Sequence, residues 1–331
     1  MLTILQGNCL EKLRELPDAS VQCCVTSPPY WGLRDYKSEG MIGLEPSLGE
    51  WLKKIIEVFG EVRRVLRDDG TLWCNMGDCY NSGASGAQGD TGQMKNRTVT
   101  RHRIEGIVRA VETLKRKDMV GQPWRLAFAL QDAGWYLRRD IIWHKPNPMP
   151  ETVYDRPTTS HEYIFLLSKS PKYFYNAREA REAVTGNTHA RGHGVNQKIK
   201  MPDGWDTGEG AHGTIHRNGR QIGKTRPRQN TSFSSAVAGA VDDRNWRSVW
   251  TIPTEKYSGD HFATFPQALA QRCIIAGTKF NDIVLDPFAG SGTTGKVALE
   301  LGRQAILCEL NPEYVKLIRQ RCETTVGLPF A

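Results

Sequence analysis

The stretch that decides the fold is "DIVLDPFAGSGTTGKVALELGRQAILCELNP", Asp282 to Pro312. It reads as a short apolar strand, a glycine turn, a helix and a second apolar strand, the grammar of a βαβ unit. Gly290, Gly292 and Gly295 form G-x-G-x-x-G between the first strand and the helix, and Glu309 ends the second strand. Glycines at such a turn let the backbone approach a ligand closely, while a carboxylate at the neighbouring strand end can accept hydrogen bonds from both ribose hydroxyls. The spacing therefore points to a nucleoside cofactor. Gly290 to Lys296 also satisfies G-x-x-x-x-G-K, but Val297 follows where a phosphate loop carries a magnesium-binding hydroxyl, so ATP is not expected.

The rest of the chain repeats the same alternation. "LTILQ" and "VQCCVT" are apolar strand runs separated by "NCLEKLRELPD", where Leu10, Leu13 and Leu16 recur at helical spacing. "WLKKIIEVFGEVRRVLRDDG" predicts a helix that stops at Gly70, followed by the strand "TLWCNMG". "PWRLAFALQDAGWYLRRDIIWHKP" adds another helix and strand, "HEYIFLLSKS" a strand and "FPQALAQRCIIAG" a helix. The predicted fold is α/β, a Rossmann-like and mostly parallel sheet with helices on both faces. Ligands of such sheets sit at the carboxyl ends of the strands.

Composition sets the outer bounds. The chain has 331 residues, 39% hydrophobic and 24% charged, and no apolar run approaches the roughly 18 to 20 residues that span a bilayer. The start "MLTILQGNCLEKL" carries no signal-peptide pattern, which leads us to expect a cytoplasmic protein with no membrane partner. The eight cysteines have no CxxC pair or framework spacing, so neither a disulfide nor a zinc site is expected. His189 and His193, and His212 and His216, have four-residue spacing, but in glycine-rich sequence that promises no helix; no metal is expected.

The net charge of +8 is unevenly spread. Residues 80–120 carry +4 and residues 176–248 carry +5, which leaves the remainder nearly neutral. Both segments are rich in Gly, Asn, Ser and Thr, and by composition alone each reads as a solvated linker. Two of them on a neutral body fit a polyanion footprint better. Arg217, Arg220, Lys224, Arg226 and Arg228 form the densest cluster and are the expected polyanion-contacting residues.

A second motif, "VTSPPYWGLRDY" at Val25 to Tyr36, follows the strand "VQCCV". Proline donates no backbone hydrogen bond, so the strand must stop there and leave a stiff turn presenting carbonyl oxygens and two aromatic rings. The glycine pattern alone leaves NAD and S-adenosylmethionine open; "DPFAGSGTT" together with "TSPPYW" breaks the tie. The chain resembles the S-adenosylmethionine-dependent DNA amino-methyltransferases of the cytosine-N4/adenine-N6 class, in the circular order where the catalytic motif precedes the cofactor motif. "CELNP" resembles the family's ribose-binding acid, "HFATFP" at His261 to Pro266 its methionine-side motif, and "QGNCLEKL" its Gly-Asp-Cys element with Asn8 in place of aspartate.

The resemblance implies a circularly permuted class I methyltransferase. Residues 1–175 are then the catalytic half, including a basic flexible loop at 80–120; residues 176–248 are the target recognition region, and residues 249–331 the cofactor half. It implies Ser27, Pro28, Pro29 and Tyr30 as catalytic, with Tyr30 and Trp31 stacking on the target base. Asn8, His261, Phe262, Thr264, Phe265, Asp286, Pro287, Phe288, Gly290, Ser291, Gly292, Thr293 and Glu309 are the implied cofactor residues; Asp286 either touches the cofactor or braces the glycine turn. The implied substrate is double-stranded DNA with a flipped base, in the nucleoid of a bacterial or phage-infected cell. A homodimer and a cognate restriction endonuclease are further expected partners. Ser before Pro-Pro-Tyr favours cytosine N4 over adenine N6. RNA or protein methylation, an NAD-dependent oxidoreductase and a non-catalytic DNA-binding module are the competing readings.

Overall fold

The computed structural model describes residues 1–32, 40–81, 114–183, 243–255 and 265–326. The chain divides into two units, Met1–Ala180 with Arg247–Ala331, and Arg181–Trp246. The first unit opens with strand β1 (Leu2–Gln6), helix α1 (Cys9–Arg14) and strand β2 (Val21–Thr26). Helix α2 (Leu48–Val65) leads to β3 (Leu66–Met76), and helix α3 (Gln122–Asp132) to β4 (Tyr136–His144) and β5 (His161–Ser168). The second unit contributes β6 (Arg181–Ala183) and β7 (Asp243–Asn245), and the chain returns to the first with β8 (Val249–Thr251). Helix α4 (Gln267–Gly277), β9 (Ile283–Asp286), α5 (Thr293–Glu300), β10 (Gln304–Glu309) and α6 (Pro312–Val326) complete it.

Eight strands form one sheet in the order β1-β10-β9-β2-β3-β5-β4-β8. The five from β1 to β3 run parallel, as the sequence predicts. β5 is antiparallel to both β3 and β4. That one reversal places the beginning of β5 at the same sheet edge as the ends of β3 and β4, with Tyr163 opposite Met76 and His161 opposite His144. β2 and β9 are neighbours, and the chain leaves them in opposite directions across the sheet, β2 towards β3 and β9 towards β10. This is a topological switch point, where a crevice opens beyond the strand ends.

The hydrophobic pattern explains the layers. Trp51, Ile55, Phe59 and Val62 recur at three- and four-residue spacing along α2, and all are buried. They pack with Leu72, Cys74 and Met76 in one core cluster, each large side chain contributing roughly 1.5–3 kcal/mol by leaving water. Ser47 caps α2 by accepting from the Glu50 N–H, which sets where the helix starts. The helix ends at Val65 rather than running on to Gly70, because Leu66 already pairs with Val21 as strand; the register then shifts before Thr71 meets Cys23. A smaller cluster of Ala289, Leu299, Leu307, Ile318 and Cys322 lies around α5, β10 and α6. In the second unit Arg181 pairs with Asp243 and Glu182 with Arg244, joining β6 to β7.

Candidate active site

The two motifs meet where β2 and β9 end. Thr26 Oγ1 donates to Asp286 Oδ1 at 2.6 Å, and Thr294 Oγ1 donates to Asp286 Oδ2 at 2.7 Å. The Phe288 N–H donates to the same carboxylate. Asp286 is 2% exposed, and this burial raises its pKa to about 6 despite three donors. Of the two roles open to Asp286, the bracing one is visible: its carboxylate clamps the glycine turn to the end of β2.

The turn from Pro287 to Gly292 launches α5, and its glycines answer different demands. Gly292 sits at φ +80° as the N-terminal cap of α5, and an added Cβ there would come 3.0 Å from Ile318. Gly295 lies inside α5, where an added Cβ would stand 2.5 Å from Leu307 Cδ1, so helix and strand touch backbone to side chain. At Gly290 a Cβ would meet nothing within 4 Å, so space is open over the turn. The Gly290 N–H donates to Glu309 Oε2 and the Asn311 N–H to Oε1, both at 2.8 Å. Burial raises the Glu309 pKa. Each oxygen retains a lone-pair site, so the carboxylate can still accept from a ribose diol beside that open space.

The other predicted cofactor residues take varied places. Asn8 follows β1, whose Gln6 pairs with Glu309, and its side chain caps α1 by accepting from the Leu10 N–H at 2.9 Å. Ser291 is 1% exposed and its hydroxyl accepts from Arg321 on α6. Its hydroxyl and carbonyl thus tie the turn to α6. Phe288 packs edge-on against Phe59. Thr293 is the first residue of α5, and Phe265 stands just before α4. His261, Phe262 and Thr264 lie outside the described residues, as do Arg217, Arg220, Lys224, Arg226 and Arg228.

The Ser27–Tyr30 turn is pinned from beneath. Trp51 on α2 donates its indole N–H to the Pro29 carbonyl at 2.9 Å. Trp31 is 2% exposed, its indole N–H donating to the Glu45 carbonyl at 2.8 Å and its backbone N–H to Gln122 Oε1. Of the two places open to Trp31, beside the base or packed beneath, it takes the packed one and anchors the turn to the core. Tyr30 is only partly buried, with its ring beside Gly77. Its hydroxyl donates to Glu162 Oε2 at 3.1 Å, and Ser27 Oγ donates to that hydroxyl at 3.4 Å. Burial raises the Tyr30 pKa well above 10, which keeps the phenol protonated.

Sequence reading missed Glu162 and Asn75, which with Lys145, part of the "WHKPNPMP" stretch at the end of β4, surround Tyr30. Asn75 at the end of β3 donates to Glu162 Oε2 at 3.1 Å, and Lys145 just after β4 pairs with Glu162 Oε1 at 2.5 Å. The signal was the polar pair His161-Glu162 opening an otherwise apolar strand, but only the antiparallel direction of β5 brings it to this edge. Asp78 also escaped notice; it accepts from the Gly121 and Gln122 N–H groups and so caps α3. All eight cysteines are free thiols. Among the described residues no helix is long and apolar enough to cross a membrane.

A glycine turn and a proline-stiffened turn over adjacent strands, with an acid at the next strand end, define a Rossmann-like methyltransferase site. The DNA methylase family model covering N6 and N4 methylases matches residues 21–320, and the chain belongs to that family. It is 43% identical over 323 residues to the Type II methyltransferase M.Cfr9I of Citrobacter freundii, covering 97% of this chain and 87% of that one. It is 42% identical to M.SmaI of Serratia marcescens, covering 96% and 89%. In fold it resembles the cytosine-N4-specific PvuII DNA methyltransferase, at a TM-score of 0.59 and 18% identity over 98% of this chain and 90% of that one. It also resembles a putative DNA modification methylase of Thermus thermophilus complexed with S-adenosyl-L-methionine, at 0.57 and 24% over 99% and 95%. S-adenosylmethionine is the cofactor, and the residues present fit it: an open glycine turn beside a carboxylate with lone pairs to offer.

Proposed function

We propose that this chain is the methyltransferase of a Type II restriction-modification system, moving a methyl group to the exocyclic N4 amine of a cytosine flipped out of double-stranded DNA. The observation that carries the reading is the joining of the two motifs at one carboxylate, Asp286, which fixes the Ser27 turn beside the glycine turn. Bound S-adenosylmethionine supplies an electrophilic methyl on a sulfonium sulfur.

The chain's part is to make a poor nucleophile better. The lone pair of the target amine is delocalised into the base. Ser27 Oγ and the Pro28 carbonyl accept hydrogen bonds from its N–H groups, which favours a pyramidal nitrogen with its lone pair free for the methyl carbon. As the C–N bond forms, the C–S bond breaks with its electrons left on sulfur, and the amine afterwards loses one proton to water. Because Trp51 holds the Pro29 carbonyl and Gln122 the Trp31 N–H, these acceptors need little reorganisation. Tyr30 stacks on the flipped base, returning about 1–3 kcal/mol of an unstacking cost of a few kcal/mol. The basic region 176–248, with Arg217, Arg220, Lys224, Arg226 and Arg228, supplies phosphate contacts and sequence readout, and residues 80–120 a second DNA-facing segment.

Ser27 is a small polar group that leaves room for the cytosine amine, which favours N4. The test is to incubate the protein with duplex DNA and labelled cofactor, digest to nucleosides and weigh the products. N4-methylcytosine is expected. N6-methyladenine would overturn the choice of base, and transfer to RNA or protein but not duplex DNA would overturn the substrate.

A further inference from the structure

Four polar side chains from four separate stretches of chain converge at Tyr30, and the donors and acceptors among them run in one direction. Glu162 is 19% exposed at its side chain and Lys145 18%, so neither is a freely solvated surface charge. Lys145 Nζ, which also lies 4.5 Å from the centre of the Trp143 ring, can only donate, and it donates to Glu162 Oε1. Asn75 Nδ2 divides its two N–H groups between Glu162 Oε2 and the Tyr163 carbonyl, each at 3.1 Å. An ionised carboxylate has no proton to give. The hydroxyl of Tyr30 must therefore point its single proton at Glu162 Oε2, and its oxygen is left to accept from Ser27 Oγ.

The geometry points to Glu162 as a positioning residue that sets the polarity of the Ser27 hydroxyl. With the Ser27 proton drawn towards Tyr30, and through it towards Glu162, the Ser27 oxygen turns its lone pairs to the site and is an acceptor for the target amine. Were the chain of hydrogen bonds to run the other way, Ser27 would present a proton to that amine and compete for the lone pair the reaction needs. Lys145 and Asn75 hold the carboxylate in the orientation that enforces this direction. Glu162 touches neither base nor cofactor in this role and acts only through Tyr30. The inference rests on the reading of Ser27 as an acceptor in methyl transfer.

The substitution that isolates polarity from packing is Glu162→Gln. Lys145 demands an acceptor, so the glutamine oxygen takes the Oε1 position and its NH2 faces Tyr30, which then accepts and passes its own proton to Ser27. The experiment measures kcat and KM for methyl transfer to duplex DNA in the native sequence, Glu162→Gln, Tyr30→Phe and the double variant, with cofactor affinity by calorimetry and melting temperature for each. We expect Glu162→Gln to lower kcat about 10- to 100-fold, with cofactor affinity and KM within about twofold. Tyr30→Phe breaks the same chain, so adding Glu162→Gln to it is expected to change kcat by less than about twofold. A Glu162→Gln protein with native kcat would overturn the inference, as would a double variant whose losses multiply. If Glu162→Gln lowers the melting temperature strongly, the Glu162→Asp protein, which keeps an acceptor-only carboxylate, is the arbiter: recovery of kcat supports polarity, and no recovery with a restored melting temperature overturns it. Absence of transfer by the native protein, or full activity in Ser27→Ala, would instead sink the underlying reading of the site.

Discussion

Thr26 and Asp286, 260 residues apart in sequence, are joined by a 2.6 Å hydrogen bond at the ends of adjacent parallel strands. Asp286 also holds Thr294, whose hydroxyl lies 3.2 Å from the Val25 carbonyl, so one carboxylate ties together the end of β2, the glycine turn and the first helical turn of α5.

This arrangement has a signature in pH. Burial raises the folded pKa of Asp286 to about 6 from a usual 3.8. Between these values the folded state holds more protons than the unfolded one, so the contribution is full below about 4 and is lost as pH rises through 6. Asp286→Asn removes it. The stability difference between native and variant proteins, measured by urea unfolding from pH 4.5 to 7.5, should move in the variant's favour by about 2 kcal/mol as pH rises. A pH-independent difference would show that Asp286 is ionised throughout.

Gly295 offers a test of packing against propensity. Ala in place of Gly within a helix ordinarily stabilises by roughly 0.5–1 kcal/mol. Here the new methyl would stand 2.5 Å from Leu307, and overpacking of this kind costs about 1–3 kcal/mol, so a net loss is expected. Thermal or urea unfolding of Gly295→Ala checks the sign. Combining it with Leu307→Ala should cost less than the sum of the two single changes, because the methyl then enters the space that leucine vacates.

Glu309 is expected to bind the cofactor ribose as well as brace the turn. Losing charge-assisted hydrogen bonds worth about 1.5–3 kcal/mol predicts a fall in cofactor affinity of roughly 10- to 100-fold for Glu309→Ala, measured by calorimetry. Unaltered affinity would restrict Glu309 to holding Gly290 and Asn311.

The thiols should be quiet in the folded protein. Burial pushes Cys9 and Cys23 up to about 12 and raises Cys24, Cys74, Cys273 and Cys308 as well. Since the thiolate is the reactive form, a colorimetric disulfide reagent at pH 8 should leave these six unmodified over minutes and titrate all eight in guanidinium. Rapid native modification at any of the six, located by mass spectrometry, would contradict the packing.

Much of this was legible in the residues themselves. The run from Asp282 to Glu309 declared its strand, turn, helix and strand because periodicity and glycine placement are local properties of the chain. The strand end at Thr26 was likewise readable, since two prolines cannot continue a ladder. Less visible were β8, only three residues long, and α6, whose mixed face carries little pattern.

The identities and order of the motifs, and with them the family, were determined by the sequence alone, because each motif's chemistry is complete within a dozen residues. Tertiary structure decided which side chains those motifs meet. Trp31 went into the core and Ser291 onto Arg321, while Asp286 became a brace. Above all, β5 runs against its neighbours and so carries Glu162 to Tyr30, where a parallel strand would have left it at the far edge. Strand direction and partnership follow from the burial of whole faces across the sheet, and no local window of residues contains that information.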